Sequence, residues 1–322
     1  MTRIALDAMG GDLAPSETVA GAVEAARRGV DVVLVGRHDS LEIELSKLGT
    51  RLPIVDAADV VGMGDDPGRA LREKPEASIN VAARLVAEGS ADGFVSAGST
   101  GAAMAAAAIL IGRIKGVSRP AIATIFPTPV TPTLVLDSGA NLDVKPEQLA
   151  QFGIMGSVAV QALFGLEDPR VGLLSIGEEK GKGRDLERAA YDLLDAGPTN
   201  FVGNLEGRDI ATDKADVIVT DGFTGNVFLK TTEGTSKLVT QYLLEALSKL
   251  SPDIQEQVFP VIAAVEEMLD YETYGGAQLL GVKSVAVIAH GSSSRVAISN
   301  ALALARDSAE GDLPGRLAEQ LP

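Results

Sequence analysis

The stretch Gly93-Phe-Val-Ser-Ala-Gly-Ser-Thr-Gly101, followed by an alanine-rich run to Ile111, carries the pattern on which the fold turns. Residues 93–96 form a short apolar run that stops at a glycine loop, which reads as a buried strand. Thr100 then opens a run of small residues without proline, 100–111, which reads as a helix packed closely on a sheet. Such a strand, loop and helix form the unit from which α/β sheets are built. In open sheets of this kind, ligands sit outside the carboxyl ends of the strands. Glycine there lets backbone N–H groups approach an anion, and the next helix presents its positive end.

Outward from this stretch the spelling recurs. Asp7-Ala-Met-Gly-Gly-Asp12, Asp137-Ser-Gly-Ala-Asn141, Ile176-Gly177, Asp221-Gly-Phe-Thr-Gly-Asn226 and His290-Gly-Ser-Ser-Ser294 each close an apolar run. The alternation predicts strands at 4–7, 32–35, 53–55, 93–96, 121–126, 133–137, 171–176, 200–202, 217–220 and 284–288. Helices fall at 16–28, 40–48, 78–88, 100–111, 146–164 and 186–194, with a last one after the final strand. The turn Thr128-Pro-Val-Thr-Pro132 is too short for a crossover, so 121–126 and 133–137 form an antiparallel hairpin in a mostly parallel, mixed sheet.

Residues 226–278 break the rhythm, because two helical patterns follow each other with no strand between. They read as an inserted helical hairpin. Leu238, Tyr242, Leu243, Leu247 and Leu250 share one face before Ser251-Pro252, and Val258, Val261, Ile262, Val265 and Leu269 share another after it. These stripes suit an ordinary core, a symmetric partner, an acyl chain or a membrane surface. Without repeats or a low-complexity linker, residues 1–322 are expected to form a single α/β catalytic domain carrying that hairpin.

Composition narrows the function. A formal net charge of -16 argues against nucleic-acid binding, which needs a basic footprint, and the 4% aromatic content supplies little base stacking. Cysteine is absent, which removes disulfides, thiolate metal sites and a Cys nucleophile. The first residues enter a strand directly, without the regions of a signal peptide, so the expected location is cytoplasmic, with membrane association through the hairpin. The longest apolar stretch, 101–112, is too short to span a bilayer. No Gly-x-Gly-x-x-Gly fingerprint follows the first strand, which disfavours a nicotinamide-dependent dehydrogenase.

Six loops together carry a resemblance that no single one supports. Asp7-Ala-Met-Gly-Gly-Asp12, Ala70-Leu-Arg-Glu-Lys-Pro75, Ser96-Ala-Gly-Ser-Thr-Gly-Ala102, Leu136-Asp-Ser-Gly-Ala-Asn141, Thr220-Asp-Gly-Phe-Thr-Gly-Asn-Val227 (with Ala215-Asp216 upstream) and Tyr274-Gly-Gly-Ala277 closely resemble the bacterial phosphate acyltransferases of phospholipid synthesis, the PlsX type. The match is collinear over nearly the whole chain. It implies a three-layer α/β/α sandwich related to phosphate acetyltransferases and the isocitrate and isopropylmalate dehydrogenases. It also implies a homodimer, no cofactor, no metal, and peripheral membrane contact in some members. The implied reaction moves a long fatty acyl group from acyl carrier protein to inorganic phosphate. A short-chain enzyme using coenzyme A thioesters and a non-catalytic membrane scaffold are the alternatives.

The chemistry fits the residues. A thiolate leaves readily, and phosphate near neutral pH is already partly a dianionic nucleophile, so neither a strong base nor a covalent nucleophile is required. The needs are a clamp for phosphate and donors for the developing oxyanion. Ser96, Gly98, Ser99, Thr100 and Gly101 are the candidate phosphate cradle, although alone they read equally as a turn and helix cap. Asn226 is the candidate oxyanion donor, in a loop where Asp221, Gly222, Thr224 and Gly225 shape the backbone.

Lys182 belongs to the active-site loop by resemblance, while Arg184 stands where that resemblance leads one to expect Asn. His290, at a strand end, is the better placed of the two histidines. Asp7, Gly10, Gly11, Asp12, Asp137 and Asn141 are expected to shape the cleft. The acidic carrier requires local cations on this acidic chain, and Arg69, Arg72, Lys74 and Arg84 form one candidate patch, with Arg113, Lys115 and Arg119 another.

Overall fold

Residues 4, 6, 32 and 34 bury one face of their strands, and residues 5, 33 and 35 the other, as the period of two requires when a sheet is covered on both sides. The computed structural model describes residues 2–128, 131–269 and 271–321. Its strands are β1 (Arg3–Asp7), β2 (Asp31–Gly36), β3 (Ile54–Asp56), β4 (Gly93–Ser96), β5 (Ala121–Phe126), β6 (Thr133–Leu136), β7 (Arg170–Leu174), β8 (Asn200–Leu205), β9 (Val217–Val219), β10 (Ala277–Leu280) and β11 (Val285–Ile288). They form one sheet in the order β3-β2-β1-β4-β11-β10-β5-β6-β9-β7-β8.

Helices α1 (Ser16–Arg27), α2 (His38–Lys47), α6 (Pro146–Phe164), α7 (Asp185–Asp195), α10 (Arg295–Glu310) and α11 (Leu313–Gln320) cover one face. On the other lie α3 (Pro67–Glu73), α4 (Ser78–Ala87), α5 (Thr100–Ala106) and the start of α8 (Gly222–Leu247). The result is the three-layer α/β/α sandwich with a mixed sheet. The fold class expected from the sequence is the one observed.

The hairpin of β5 and β6 is antiparallel, pairing Ala123 with Leu136 and Phe126 with Thr133. Strand β10 runs antiparallel to both β11 and β5. Hence β1 to β5 and β11 point one way, and β6 to β10 point the other. The glycine loops after β1, β4 and β11 therefore leave one edge of the sheet, and those after β6, β7 and β9 leave the opposite edge. They meet only across a face, over the central strands. Pro129 and Val130 of the intervening turn lie outside the described residues.

Three elements were not read from the sequence. Helix α3 begins at Pro67 with the Asp66 carboxylate accepting Arg69 N–H at 2.8 Å, a cap and N1-proline signal that was present but short. Strand β10 lies where the long helical region was expected to end. Its Ala-Gln-Leu-Leu sequence has no β-branched residue, so its form is set by pairing with β5 and β11. The last helix divides at Gly311 and Asp312, and α11 starts with Pro314 in its first turn.

Helices α8 and α9 (Pro252–Leu269) follow each other without a strand. Leu247 and Ile262 are buried, whereas Leu238, Tyr242, Leu243, Leu250, Val261 and Val265 are exposed. The Leu269 side chain lies outside the described residues. The apolar stripes are wider than the contact two helices make with each other. No helix among the described residues is long and apolar enough to cross a membrane.

Candidate active site

On the face carrying α5 and α8, a cleft of about 390 Å³ lies over the middle of the sheet. Ile122 and Thr124 of β5, with Ala277 and Ile288, form its floor. Asp12, Gly98, Thr100, His290 and Gly291 line one wall, brought from the ends of β1, β4 and β11. Ser138, Gly139, Asn226, Leu229, Lys230 and Glu233 line the other. A second, more open depression of about 610 Å³ lies near Lys115, Lys283 and Asp312, away from the glycine loops. The glycine loops converge on the first.

The first wall is fixed from beneath by a buried relay. Ser96 Oγ donates to Asp7 Oδ2 at 2.6 Å and accepts Gly98 N–H at 3.0 Å. The Ser96 hydroxyl and the Gly98 amide are thus engaged with each other, which leaves Ser99, Thr100 and Gly101 as the cradle residues without that constraint. At the start of α5, the first-turn amides have no intrahelical acceptor. Burial pushes the Asp7 pKa above the usual carboxylate value, opposed by the Ser78 and Ser96 hydroxyls and the Met9 and Gly10 amides.

Gly10 is required by close approach, since a Cβ there would lie 2.5 Å from Asp7 Oδ2 and 2.8 Å from Gly98 N. Asp12 N–H donates to Gly291 O at 2.7 Å and ties the Gly10-Gly11 loop to the end of β11. His290 Nδ1 accepts Ser292 N–H at 3.2 Å and lies 2.8 Å from Ser292 Oγ.

The second wall is organised by two further aspartates. Asp137 Oδ1 accepts the Ile122, Gly139 and Ala140 amides, and its Oδ2 accepts Asn141 N and Nδ2. Burial pushes the Asp137 pKa up while those donors oppose it. Asp221 caps α8, accepting Thr224 N at 2.8 Å and Thr224 Oγ1 at 2.9 Å. Burial pushes Asp221 up, but Thr224 and Arg184 outweigh it and hold the carboxyl below its usual value. A Cβ on Gly225 would lie 1.9 Å from the Asp137 carbonyl oxygen, so only glycine lets α8 seat against this loop. That seat sets exposed Asn226 beside Gly139.

The remaining predicted residues lie elsewhere. Lys182 is half exposed on the loop 177–184, 4.0 Å from Glu179, and does not line the cleft. Arg69 pairs with Glu73 at 2.8 Å and Lys74 with Asp65 at 2.6 Å, while Arg72 is exposed on the same short helix. None of the three lines the cleft. Sequence reasoning missed Met63, Thr124, Ser138, Leu229, Lys230 and Glu233. One signal was available, because Asn226, Leu229, Lys230 and Glu233 have the i, i+3, i+4, i+7 spacing of one helical face. Thr124 Oγ1 is buried without a hydrogen-bond partner, and Lys230 pairs with Glu233 at 2.9 Å.

The sheet and its covering layers form an α/β fold that solved structures share. A phosphotransacetylase from Streptococcus pyogenes superposes with a TM-score of 0.65 at 18% identity, covering 96% of this chain and 94% of that one. A 4-hydroxythreonine-4-phosphate dehydrogenase from Klebsiella pneumoniae gives 0.55 at 13% identity, over 96% and 99% of the two chains. These likenesses carry the fold. Residues 2–316 match the model of the fatty acid synthesis protein family. A phosphate acyltransferase of Heliobacterium modesticaldum is 48% identical over 99% of this chain and 98% of its own. The chain belongs to that family and is an acyltransferase.

Proposed function

We propose that the cleft transfers a long-chain fatty acyl group from acyl carrier protein to inorganic phosphate. The supporting observation is its division: polar walls at Thr100, His290, Ser138 and Asn226 stand over an apolar floor of Ile122, Ala277 and Ile288. Such a cleft suits a phosphate beside a thioester whose chain runs along apolar side chains. A phosphate oxygen attacks the carbonyl carbon, and the C–S bond breaks as the C–O bond is completed. The thiolate takes a proton from water, giving acyl phosphate and the free carrier thiol.

Ser99, Thr100 and Gly101 hold phosphate in this reading, with Ser96 and Gly98 shaping the cradle, and Asn226 donates to the oxyanion. His290 supplies a donor group on the first wall, and Lys182, outside the cleft on the loop 177–184, is assigned a cationic role by the resemblance alone. Arg69, Arg72 and Lys74 meet the carrier, and the exposed stripe of α8 and α9 rests on lipid beside a homodimer. The same region favours the long-chain carrier substrate over a short coenzyme A thioester.

The test measures phosphate-dependent thiol release with long-chain acyl carrier and short-chain coenzyme A thioesters. Turnover is expected with the former, and Asn226→Ala is expected to lower kcat about 100-fold with the fold intact. Equal turnover of short coenzyme A thioesters would favour the alternative donor. A burst of thiol without phosphate would overturn direct attack.

A further inference from the structure

Arg184 has no part in the acyl transfer described above, yet it joins two regions of the candidate site. It stands at the start of α7, directly after Gly183, whose φ of +97° favours glycine. A Cβ on Gly183 would lie 2.8 Å from Glu187 Cβ and 3.0 Å from Ser175 Oγ, so the chain is pinched there between the end of β7 and the first turn of α7. From this fixed point Arg184 Nη2 donates to Glu187 Oε1 and to Asp221 Oδ2. Its Nε donates to Glu187 Oε1 at 2.9 Å, and its backbone N–H to Glu187 Oε2 at 2.7 Å.

The two carboxylates are buried, with side chains 9% and 3% exposed, while the Arg184 side chain is 60% exposed. Asp221 is also the cap of α8, the helix that carries Asn226. Asp137 is the other carboxylate close by, since a Cβ on Gly222 would lie 2.9 Å from its Oδ2. Two buried carboxylates therefore underlie the wall that faces the assigned phosphate. Their repulsion of a dianion needs a cation, and the guanidinium is bonded to one of them.

We propose that Arg184 is a positioning residue that clasps the loop 177–184 to the first turn of α8 and cancels the charge of Asp221, so that a phosphate dianion binds in the cleft facing the Asn226 wall. This inference rests on the reading of the cleft as a phosphate site. Arg184 does not line the cleft and acts through Asp221 and the loop bearing Lys182.

Removing the guanidinium leaves Asp221 with its burial, its Thr224 bonds and the facing Asp137. Its pKa then rises from its depressed value. The contribution of a depressed carboxylate is present above its unfolded pKa and lost as pH falls through the folded one. Loss of the clasp therefore moves the acid limb of stability to higher pH.

The experiment compares wild-type protein with Arg184→Met and Arg184→Lys, by phosphate-dependent thiol release, by urea unfolding across pH and by amide hydrogen exchange. Arg184→Met is expected to raise the phosphate KM about tenfold with a smaller change in kcat, and to shift the acid limb upward. Exchange over 177–183 should quicken, and Arg184→Lys should retain part of each property. If the Met variant fails to fold, the Lys variant carries the comparison.

Wild-type KM, acid limb and exchange in Arg184→Met would overturn the proposal, as would faster exchange with an unchanged phosphate KM. A wild-type protein without phosphate-dependent turnover would defeat the assigned reaction, and the phosphate half of this inference with it. The exchange measurement decides the clasp in either case.

Discussion

Gly225 and Gly234 lie on the same helix and meet opposite surroundings. A Cβ on Gly225 would stand 1.9 Å from the Asp137 carbonyl oxygen, whereas one on Gly234 would have no neighbour within 4 Å. The first turns of α8 belong to the catalytic body and are fitted to it atom by atom. The rest of α8, with α9, extends beyond the core and leaves Leu238, Tyr242, Phe259 and Val261 exposed. A single helix thus joins a region where packing forbids one methyl to a region where packing constrains little.

The sharpest way to break this comparison is to add that methyl at both places. Gly225→Ala is expected to cost about 3 kcal/mol and most activity, because backbone rather than a flexible side chain must move. Gly234→Ala is expected to gain roughly 0.5–1 kcal/mol, the ordinary value of replacing glycine in an open helix. Denaturant melts of both variants measure the pair. Equal effects at the two positions would erase the distinction.

A smaller effect tests the buried relay under the first wall. The Asp7 pKa is raised by burial, so Asp7 favours the fold in its protonated form. That contribution is full below the unfolded value near ~3.9 and is lost as pH rises through the folded value. The stability of Asp7→Asn relative to wild type is therefore expected to increase with pH, read from urea midpoints between acid and neutral conditions. Parallel curves would show that Asp7 titrates as a solvated carboxyl.

The smallest effect on the fold is expected in the extension. Phe259→Glu at a position 56% exposed should leave stability within about 0.5 kcal/mol while reducing binding to anionic lipid vesicles. Preserved vesicle binding would count against a lipid contact there. A loss of stability of several kcal/mol would show that α9 belongs to the core.

Much of the fold was legible because it is written locally. The strand and helix rhythm, the antiparallel turn near Thr128 and the glycine loops each occupy a few residues, and periodicity reports them directly. Strand β10 was missed because Ala277 to Leu280 has no β signal of its own and owes its form to neighbours. The cleft face of α8 was also legible from Asn226, Leu229, Lys230 and Glu233, once that helix was known to begin at the site. The relay from Asp7 through Ser96 to Gly98 was not legible, because it joins side chains 89 residues apart.

By itself the sequence determined the layers, the six loops and the family, since each follows from short patterns and their order along the chain. Tertiary structure decided where those loops meet. The reversal of strand direction at β5 and β6 sends them to opposite edges and gathers them over the middle of the sheet, not along one carboxyl edge. It also gave Arg184 its partner, 37 residues away at Asp221. Register and chain direction are global properties of the sheet, and no local run of residues encodes which loops they bring face to face.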